Sequence, residues 1–433
     1  MTALAELPEE VWLIVFSYLT PQDKTHARAS CRFFKRLVDH PCLWRKRTVV
    51  LKENRCFSLG LWNSLRRRRI AAIVLQRAAA RDLECMAKQL PWLTSLTIER
   101  CSDSKAFRIL PHFKNLCELV MVAVPFPPSL ADSVASMGQL AHLCLCGLTD
   151  DPRAGLVCAA THLVSLTTLR YHQSDHPLSK RAMHTLLSCL PSLKCLSLKM
   201  GKLYGMLPDD YFTVSTVSGD KRAAGQQGQC ESGLTKLELL HYMDPILSPV
   251  ALGPLSSLER LTVSYQQTSV EAPMCNLSSW LRKLPHLTEL MVISGYSFDT
   301  YVHSVPATLR TLSLRNVIFR LADMRNLGKR APGIQHLYID RLSCKSLCSL
   351  SEVLVLFHQL RTLQMCYPDV DELDFRSLAQ LQHLEQLVFL NSHPSPTADH
   401  LDQIHKFKCQ TDYRVQVIHS ECRRDPYNCY CCL

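Results

Sequence analysis

The chain has 433 residues, of which 47% are apolar and 20% are charged, and its formal net charge is +11. This length suits roughly two or three domains, or one long repeat array. Its apolar stretches are much shorter than the roughly 18 residues of a membrane-spanning helix, so no membrane partner is expected. The positive charge favours acidic or phosphorylated partners, but it does not indicate a fold.

The chain contains 21 cysteines. The N-terminus has no basic region ahead of its apolar stretch and no small-residue cleavage site, so we expect no secretory signal. Most of the cysteines lie inside leucine-rich segments. We therefore interpret them as buried, reduced thiols and not as a disulfide framework. The expected location is the cytoplasm, with the nucleus as a second expectation.

The first predicted element is a helix over residues 9–19. Pro8, Glu9 and Glu10 suit the first turn of a helix, where a proline loses no hydrogen bond and carboxylates face the positive end of the dipole. The residues that follow are apolar all around the helix, with Ser17 the only small polar residue. A surface helix normally has one apolar stripe. We therefore expect a partner protein to cover one side of this helix. The alternative is that this side packs against the first repeat.

Two short helices are predicted over residues 20–41, because Thr20 is a favoured N-cap and Pro21 a favoured first helical residue. The segment 3–48 resembles the F-box, a three-helix element. The resemblance rests on Leu7–Pro8, Val11, Val15–Phe16, Leu19, Asp23, Cys31–Arg32, Phe34, Leu37 and Leu43–Trp44. Lys24 and Ser30 depart from it, since the family usually has leucine and an aliphatic residue at these positions.

F-box proteins bind a Skp adaptor, which connects them to the cullin and RING subunits of an SCF-type ubiquitin ligase. The resemblance implies that the apolar helix presents the adaptor-binding residues. These are Leu7, Pro8, Val11, Ile14, Val15 and Leu19.

Four consecutive arginines occupy positions 66–69. We favour a solvated surface for this run, with a nuclear-import signal and a nucleic-acid contact as alternatives. No aromatic residues are interleaved with the arginines, although a single-strand binding surface would need them. No nucleic acid is therefore expected as a partner.

The strongest pattern is a repeat of the form L-x-x-L-x-L, as in "LPWLTSLTI" (90–98), "LPSLKCLSL" (190–198) and "LPHLTELMV" (284–292). Successive copies are 22 to 29 residues apart, with one gap of 41. This period is typical of leucine-rich repeats, in which each unit is a strand with a return segment and buries its leucines only by stacking. With the N-terminal element, the chain resembles the F-box/leucine-rich-repeat family.

The predicted fold class is α/β: a three-helix F-box, then a leucine-rich-repeat solenoid with a parallel sheet on its concave face and helices on its convex face. The helical spacing of residues 178–190 predicts one of these outer helices. The predicted domains are an F-box (1–48), a linker with a degenerate first repeat (49–89), about twelve repeats (90–400) with an insertion near 201–232, and a C-terminal cap with a Cys-rich tail (401–433).

Within each strand, alternate residues point away from the leucine core. In the middle repeats these residues are mainly basic, and later ones mix apolar and polar groups. The predicted substrate-binding residues are Arg170, His172, Lys199, Lys236, Arg260, Met291, Arg315 and Tyr338. A basic face favours an acidic or phosphorylated target, because an arginine can grip an oxyanion in a fork. The alternative is a solvated inner face with the target bound elsewhere.

The tail holds His419, Cys422, Cys429, Cys431 and Cys432. Their spacing does not suit a paired zinc knuckle, and no metal site is assigned. A prenylation box needs a cysteine fourth from the end, where Tyr430 stands. A disordered, reduced tail is favoured over palmitoylation.

The sequence has no glycine-rich phosphate loop, no HExxH and no nucleophile elbow, so we assign no catalytic residue and no cofactor. The preferred interpretation is a non-catalytic substrate receptor of an SCF-type ubiquitin ligase that marks its target for proteasomal degradation. The alternative is a leucine-rich-repeat scaffold or inhibitor with no ligase role.

Overall fold

The computed structural model of the chain divides into two compact units, Met1–Leu169 and Arg170–Leu433. The structure describes residues 7–45, 47–52, 57–77, 79–101, 103–213, 232–266, 275–339, 356–366, 372–391 and 398–421. None of the helices in these residues is long and apolar enough to cross a membrane.

The first unit begins with three helices and a 3-10 turn. They are α1 (Glu9–Ser17), α2 (Pro21–Ser30), α3 (Arg32–Val38) and the turn Pro41–Leu43. The Thr20 hydroxyl caps α2, because its oxygen accepts a hydrogen bond from the Asp23 amide at 3.1 Å. The Cys31 thiol caps α3 in the same way, accepting from the Phe34 amide at 3.4 Å. The predicted helical N-terminal element is confirmed.

Strands and helices alternate in the rest of the first unit. The strands are β1 (Thr48–Leu51), β2 (Ala72–Gln76), β3 (Ser95–Glu99), β4 (Glu118–Val122) and β5 (His142–Cys146). The helices are α4 (Leu59–Arg67), α5 (Ala80–Gln89), α6 (Ser104–Phe107), α7 (Pro128–Ala135) and α8 (Arg153–Ala160), with a 3-10 turn at Leu110–His112. Each strand from β1 to β5 pairs in parallel with the next, and the third residues of the five strands stand in register.

The strand β6 (Thr168–His172) contains the unit boundary, and the second unit continues the same alternation. The strands that follow are β7 (Cys195–Lys199), β8 (Lys236–Tyr242), β9 (Arg260–Tyr265), β10 (Glu289–Ile293), β11 (Thr311–Arg315), β12 (His336–Ile339), β13 (Thr362–Cys366), β14 (Gln386–Asn391) and β15 (Gln416–Glu421). The helices are α9 (Lys180–Cys189), α10 (Asn276–Leu281), α11 (Leu321–Arg330), α12 (Glu372–Ala379) and α13 (Ala398–Gln410). Short 3-10 turns lie at Lys202–Tyr204, Phe298–Thr300 and Val302–Ser304.

All the strand pairs from β7 to β15 are parallel. The helix α9 occupies the segment predicted to be helical from its spacing. The α/β class, with an N-terminal helical element followed by a long series of parallel strands, is therefore confirmed.

The leucines of the repeat motif form the core of each unit. In the copy at 190–198, Leu190, Leu193, Leu196 and Leu198 are all 3% exposed or less. Burial of a leucine side chain contributes about 2 kcal/mol. These four leucines belong to one copy of the repeat, so the motif itself places apolar side chains in the core beside each strand.

Secondary structure extends beyond the predicted array of repeats at both ends. The segment predicted as a linker with a degenerate first repeat contains β1, α4, β2 and α5, and β1 pairs in parallel with β2. The predicted C-terminal cap contains β15, which pairs in parallel with β14. The strand β2 lies in the segment where the degenerate first repeat was predicted, whereas β1 and β15 lack copies of the leucine motif and were not predicted from the spacing of leucines. The domain boundaries themselves stay a prediction.

A left-handed residue follows several strands directly. Arg77, Arg100 and Ala123 come after β2, β3 and β4 with φ between 50° and 55°, and Gly147 follows β5 with φ 54°. The Ala123 amide donates to the Cys146 carbonyl at 3.0 Å, so this turn still contributes to the parallel ladder. A residue with a Cβ pays about 1–2 kcal/mol in this conformation, whereas glycine does not.

We therefore expect Ala123→Gly to raise the free energy of unfolding by about 0.5–1 kcal/mol, because removal of the Cβ relieves more strain than the flexible residue costs in entropy. Urea-induced unfolding of the full chain measures the change. The matched control is Ala154→Gly in the exposed first turn of α8, which should lower stability by about 0.5–1 kcal/mol. Equal losses in both variants would contradict the assignment of strain to Ala123.

Candidate functional site

The helix α1 buries one side against α3. Phe16 is 3% exposed, and its ring lies 5.2 Å from the ring of Phe34, edge to face. The Trp12 ring lies 4.8 Å from the same Phe34 ring. Arg36 of α3 also forms an ion pair with Glu9 at the start of α1. These contacts fix the face that α1 turns inward.

The other side of α1 is apolar and exposed. Leu7, Val11, Ile14 and Val15 are 38–59% exposed, and Tyr18 is 84% exposed. Of the other predicted adaptor-binding residues, Pro8 is exposed and Leu19 half-buried. Monomeric proteins rarely display so many large apolar side chains together unless another molecule covers them. The sequence identified this face but omitted Tyr18; the adaptor-binding role of the six residues stays a prediction.

Lys24, which departs from the family pattern, has a structural role. Its side chain is 1% exposed, and its ammonium group donates a hydrogen bond of 3.0 Å to the Leu19 carbonyl at the end of α1. Burial, together with the charge of Arg47, lowers the pKa of Lys24. The lysine thus provides a cap for a helix end, which a leucine at this position could not do.

A buried carboxylate joins the three helices to the first repeat. Asp39, at the end of α3, is 3% exposed and receives two hydrogen bonds from Arg28 of α2, at 2.9 and 3.1 Å. Arg67 and Arg68, which end α4, contact the same carboxylate at 3.4 and 2.9 Å. Burial raises the pKa of Asp39, but the hydrogen bonds and charges of Arg28 and Arg68 outweigh it, so the pKa is lowered overall.

Three members of the run, Arg66, Arg67 and Arg69, are exposed, as the favoured interpretation of a solvated surface expects, and Arg68 is half-buried. The ion pairs with Asp39 give the centre of the run a structural role as well. The Arg68 guanidinium also lies 4.2 Å from the centre of the Trp44 ring. At the ends of the run, Arg66 donates to the Gln89 side chain at 2.6 Å, and Arg69 stacks 6.0 Å above Trp92. The sequence did not reveal the contacts to Asp39 because this acceptor lies 28 residues from Arg67 and 29 from Arg68.

We expect Asp39→Asn to lower the free energy of unfolding by about 2–3 kcal/mol at pH 7, because it removes charge-assisted hydrogen bonds to a buried acceptor. The folded pKa of Asp39 is depressed, so this contribution is present above about pH 4 and is lost as the pH falls through the folded pKa. Urea unfolding at pH 7 and pH 3 measures both effects.

The matched control is Asp151→Asn, which removes the exposed Asp151–Arg153 ion pair. Exposed pairs contribute about 0–1 kcal/mol, so this variant should stay close to the wild type. Equal stability of the two variants at pH 7 would contradict the role of Asp39.

The predicted substrate-binding residues of the second unit lie on one side of the sheet, which we call the open face. It is formed by the first, third and fifth residues of each strand, whereas the leucines between them point into the core. Strand register aligns these positions in rows, so Lys236 stands opposite Arg260, and Met291 stands two strands from Tyr338. The predicted residues thus fall into two groups, one on β6–β9 and one on β10–β12.

Within the first group, Lys236 is already neutralised. Its ammonium group lies 2.6 Å from a carboxylate oxygen of Glu238, whose side chain is 3% exposed. Burial raises the pKa of Glu238, but Lys236, a hydrogen bond from Ser197 and the charge of Arg170 together lower it. The carboxylate is therefore ionised and cancels the charge of the neighbouring lysine. The sequence does not show this because a glutamate at a third strand position is ordinarily exposed.

His172 was predicted to contact the substrate, but the structure buries it. Its side chain is 2% exposed, and its Nε2 atom lies 2.8 Å from the Ser197 hydroxyl, which is itself fully buried. Burial lowers the pKa of His172 to about 4, so the ring is neutral near pH 7. The hydrogen bond to Ser197, the third residue of the next strand, holds the ring below the surface.

Arg170 and Arg260 carry the exposed charge of this group. Both side chains are exposed, and neither has an ion-pair partner among the residues that the structure describes. Burial raises the pKa of the Cys195 thiol, while Lys236, Arg170 and Arg260 each act to lower it. The charge of Glu238 adds to the effect of burial on the pKa of this thiol. Lys199 is half-buried at the end of β7.

The second group is less charged. Met291, Arg315 and Tyr338 are half-buried, and Arg315 donates a long hydrogen bond of 3.5 Å to Ser313. Burial and the charge of Glu289 raise the pKa of Tyr338, while Arg315 opposes them. The ring thus lies near one acidic and one basic side chain on a mostly neutral part of the open face.

The predicted insertion begins with an ordered segment, residues 201–213. The Tyr211 hydroxyl donates to the Leu178 carbonyl at 3.0 Å, and the Leu207 amide donates to the Ile246 carbonyl at 2.8 Å. Just before these anchors in the chain, Leu203 and Met206 are 64% and 81% exposed. The sequence prediction did not single out this apolar pair. Residues 214–231 and the tail cysteines from Cys422 onward lie outside the described residues.

We expect the stability of the wild type to fall by about 1 kcal/mol more than that of His172→Gln between pH 7.5 and pH 5.5, because protonation of this histidine in the unfolded chain favours unfolding below its ordinary pKa of about 6.5. Glutamine keeps a polar group near Ser197 but does not titrate. Urea unfolding at the two pH values measures the difference.

The matched control is His142→Gln on β5, where the side chain is exposed. This control should show the same pH dependence as the wild type. If His172→Gln also keeps the full pH dependence, the histidine is not held neutral by burial.

Comparisons with known proteins agree with the three N-terminal helices and the repeat strands. A family model described as F-box-like matches residues 4–49. Over 133 residues, 30% of the chain, the sequence is 30% identical to F-box/LRR-repeat protein 12 of Homo sapiens, and over 127 residues it is 30% identical to the protein of that name from Bos taurus. The aligned part spans only 38% of the length of each relative.

Among solved structures, the chain is similar to one described as "Crystal structure of TLR13-ssRNA13 complex", with 12% identity and a TM-score of 0.38 over 86% of this chain and 61% of that one. A likeness of this size carries no functional conclusion. The F-box-like match over residues 4–49, the partial similarity to F-box/LRR-repeat protein 12 and the parallel repeat strands agree with the resemblance to the F-box/leucine-rich-repeat family that was noted in the sequence.

Proposed function

We propose that this protein is the substrate-recognition subunit of an SCF-type ubiquitin ligase. In this role the N-terminal helices bind a Skp-type adaptor, and the open face of the repeats binds the target protein. The protein itself performs no chemistry, since ubiquitin transfer belongs to other subunits. Holding the target beside the transfer machinery raises its effective concentration.

The observation that carries this proposal is the exposed apolar side of α1. Its opposite side is already satisfied by the Phe34 ring, so the chain has turned part of an apolar helix outward. Leu7, Val11, Ile14 and Val15 together offer a continuous row at helical spacing, with Tyr18 at its end. A hydrophobic groove in a partner protein binds such a helix through apolar side chains at positions i, i+3, i+4 and i+7.

We expect Val15→Asp to abolish co-purification of the Skp adaptor, with a loss of affinity of at least about 100-fold, because a charge would be buried without a partner in the complex. Val15 is 44% exposed in the free chain, so the substitution should leave the fold intact. The measurement is affinity capture of the full chain co-expressed with adaptor and cullin.

Val164→Asp provides the matched control, since this valine is 55% exposed elsewhere in the same unit. It should retain the adaptor. Retention of adaptor by Val15→Asp would contradict the assigned surface. Absence of adaptor and cullin from the wild-type capture would instead support a scaffold or inhibitor without a ligase role.

A further inference from the structure

We propose that the open face of β6–β9 binds an acidic segment of the target in an extended conformation, with one side-chain oxyanion at Arg170 and a second at Arg260. This inference rests on the proposed function, because it names the class of target that the same receptor would take. The shared chemistry is the oxyanion of an aspartate, a glutamate or a phosphorylated residue.

The first argument is the balance of charge that remains after internal pairing. Glu238 is buried and bound to Lys236, so this acid and this base cancel within the protein. His172 is buried and hydrogen-bonded to Ser197, so it adds no charge to the surface. What the sheet exposes most is then the pair of arginines, with the half-buried Lys199 on a strand between them. Each arginine can hold an oxyanion with two parallel hydrogen bonds.

The second argument is the spacing of the two arginines. Arg170 lies on β6 and Arg260 on β9, three strands apart in the sheet order. Neighbouring strands are about 4.8 Å apart, so β6 and β9 are about 14 Å apart. Arg170 is the third residue of its strand and Arg260 the first, an offset of about 7 Å along the strands, so the two backbone positions are about 16 Å apart. An extended peptide advances about 3.3 Å per residue, so positions i and i+4 are about 13 Å apart, and the two long arginine side chains can close the remaining distance. An even spacing also directs both side chains to the same face of the peptide.

The third argument is where the basic surface stops. Glu289 on β10 is exposed and stands directly opposite Arg260 in the strand register. A negative side chain that extended beyond β9 would meet this carboxylate. The acidic part of the target segment should therefore end at Arg260. The target residues beyond it should be neutral, because they would face the neutral side chains of Met291 and Tyr338.

The test measures binding of fluorescein-labelled peptides to the full chain by fluorescence anisotropy. The peptides carry two glutamates, or two phosphoserines, either at positions i and i+3 or at positions i and i+4. We expect the four-residue spacing to bind at least about 10-fold more tightly than the three-residue spacing. Binding should weaken as salt rises, because exposed charges are screened. Comparison of the glutamate and phosphoserine peptides identifies the source of the oxyanion.

Single substitutions locate the site. Arg170→Glu and Arg260→Glu should each weaken binding of the favoured peptide at least about 10-fold, because hydrogen bonds to the oxyanion are replaced by repulsion between two negative charges. The matched control is Arg181→Glu, an equal change of charge at an exposed position on α9, which should bind as the wild type does. Glu289→Lys should strengthen binding of a peptide with a third acidic residue beyond the second, and this gain cannot arise from misfolding.

Three outcomes would overturn the proposal. The first is equal binding of peptides at both spacings, and the second is unchanged binding after both arginine substitutions. The third is tighter, arginine-dependent binding of a single-stranded oligonucleotide than of any acidic peptide. Because Val15→Asp should leave peptide binding unchanged, a failure of the ligase proposal would be seen in adaptor capture alone.

Discussion

The N-terminal part of the molecule depends on the ion pairs of the buried Asp39 carboxylate. This carboxylate receives guanidinium groups from α2 and from the end of α4, so one buried acid links the three-helix element to the first repeat strands. A buried carboxylate is costly unless its hydrogen bonds are satisfied, and here arginines from two directions satisfy it. The inner side of α1 packs on the Phe34 ring of this same three-helix element, so its outer side is defined, and that side is apolar.

The repeat strands follow a second constraint, which is the burial of leucines at alternate positions. Once these side chains are in the core, the residues between them form rows on the open face, with a spacing set by the sheet. The left-handed residues after several strands, such as Ala123, turn the chain out of the sheet after the same number of residues each time. Regular turns and regular leucines together make the position of each surface residue a consequence of its place in the repeat.

Charge on the open face is not the sum of its basic residues. Lys236 is neutralised by a buried glutamate, and His172 is withdrawn below the surface by a serine on the next strand. The exposed positive charge is concentrated at Arg170 and Arg260, on either side of this neutral network. A recognition surface of this kind distinguishes targets by the spacing of their charges as well as by their number.

The sequence by itself determined the class of fold, because a fixed period of leucines is a local property that specifies both the strand and the core. It also determined that α1 has more apolar surface than its own short helices can cover. The tertiary structure alone decided the roles of the charged residues. Arg67 and Arg68 reach an aspartate in another helix, and Glu238 cancels Lys236 only because the latter lies within 2.6 Å. Local patterns fix the burial of the repeat leucines, whereas the energy of a charge depends on which groups the fold brings to it from distant parts of the chain.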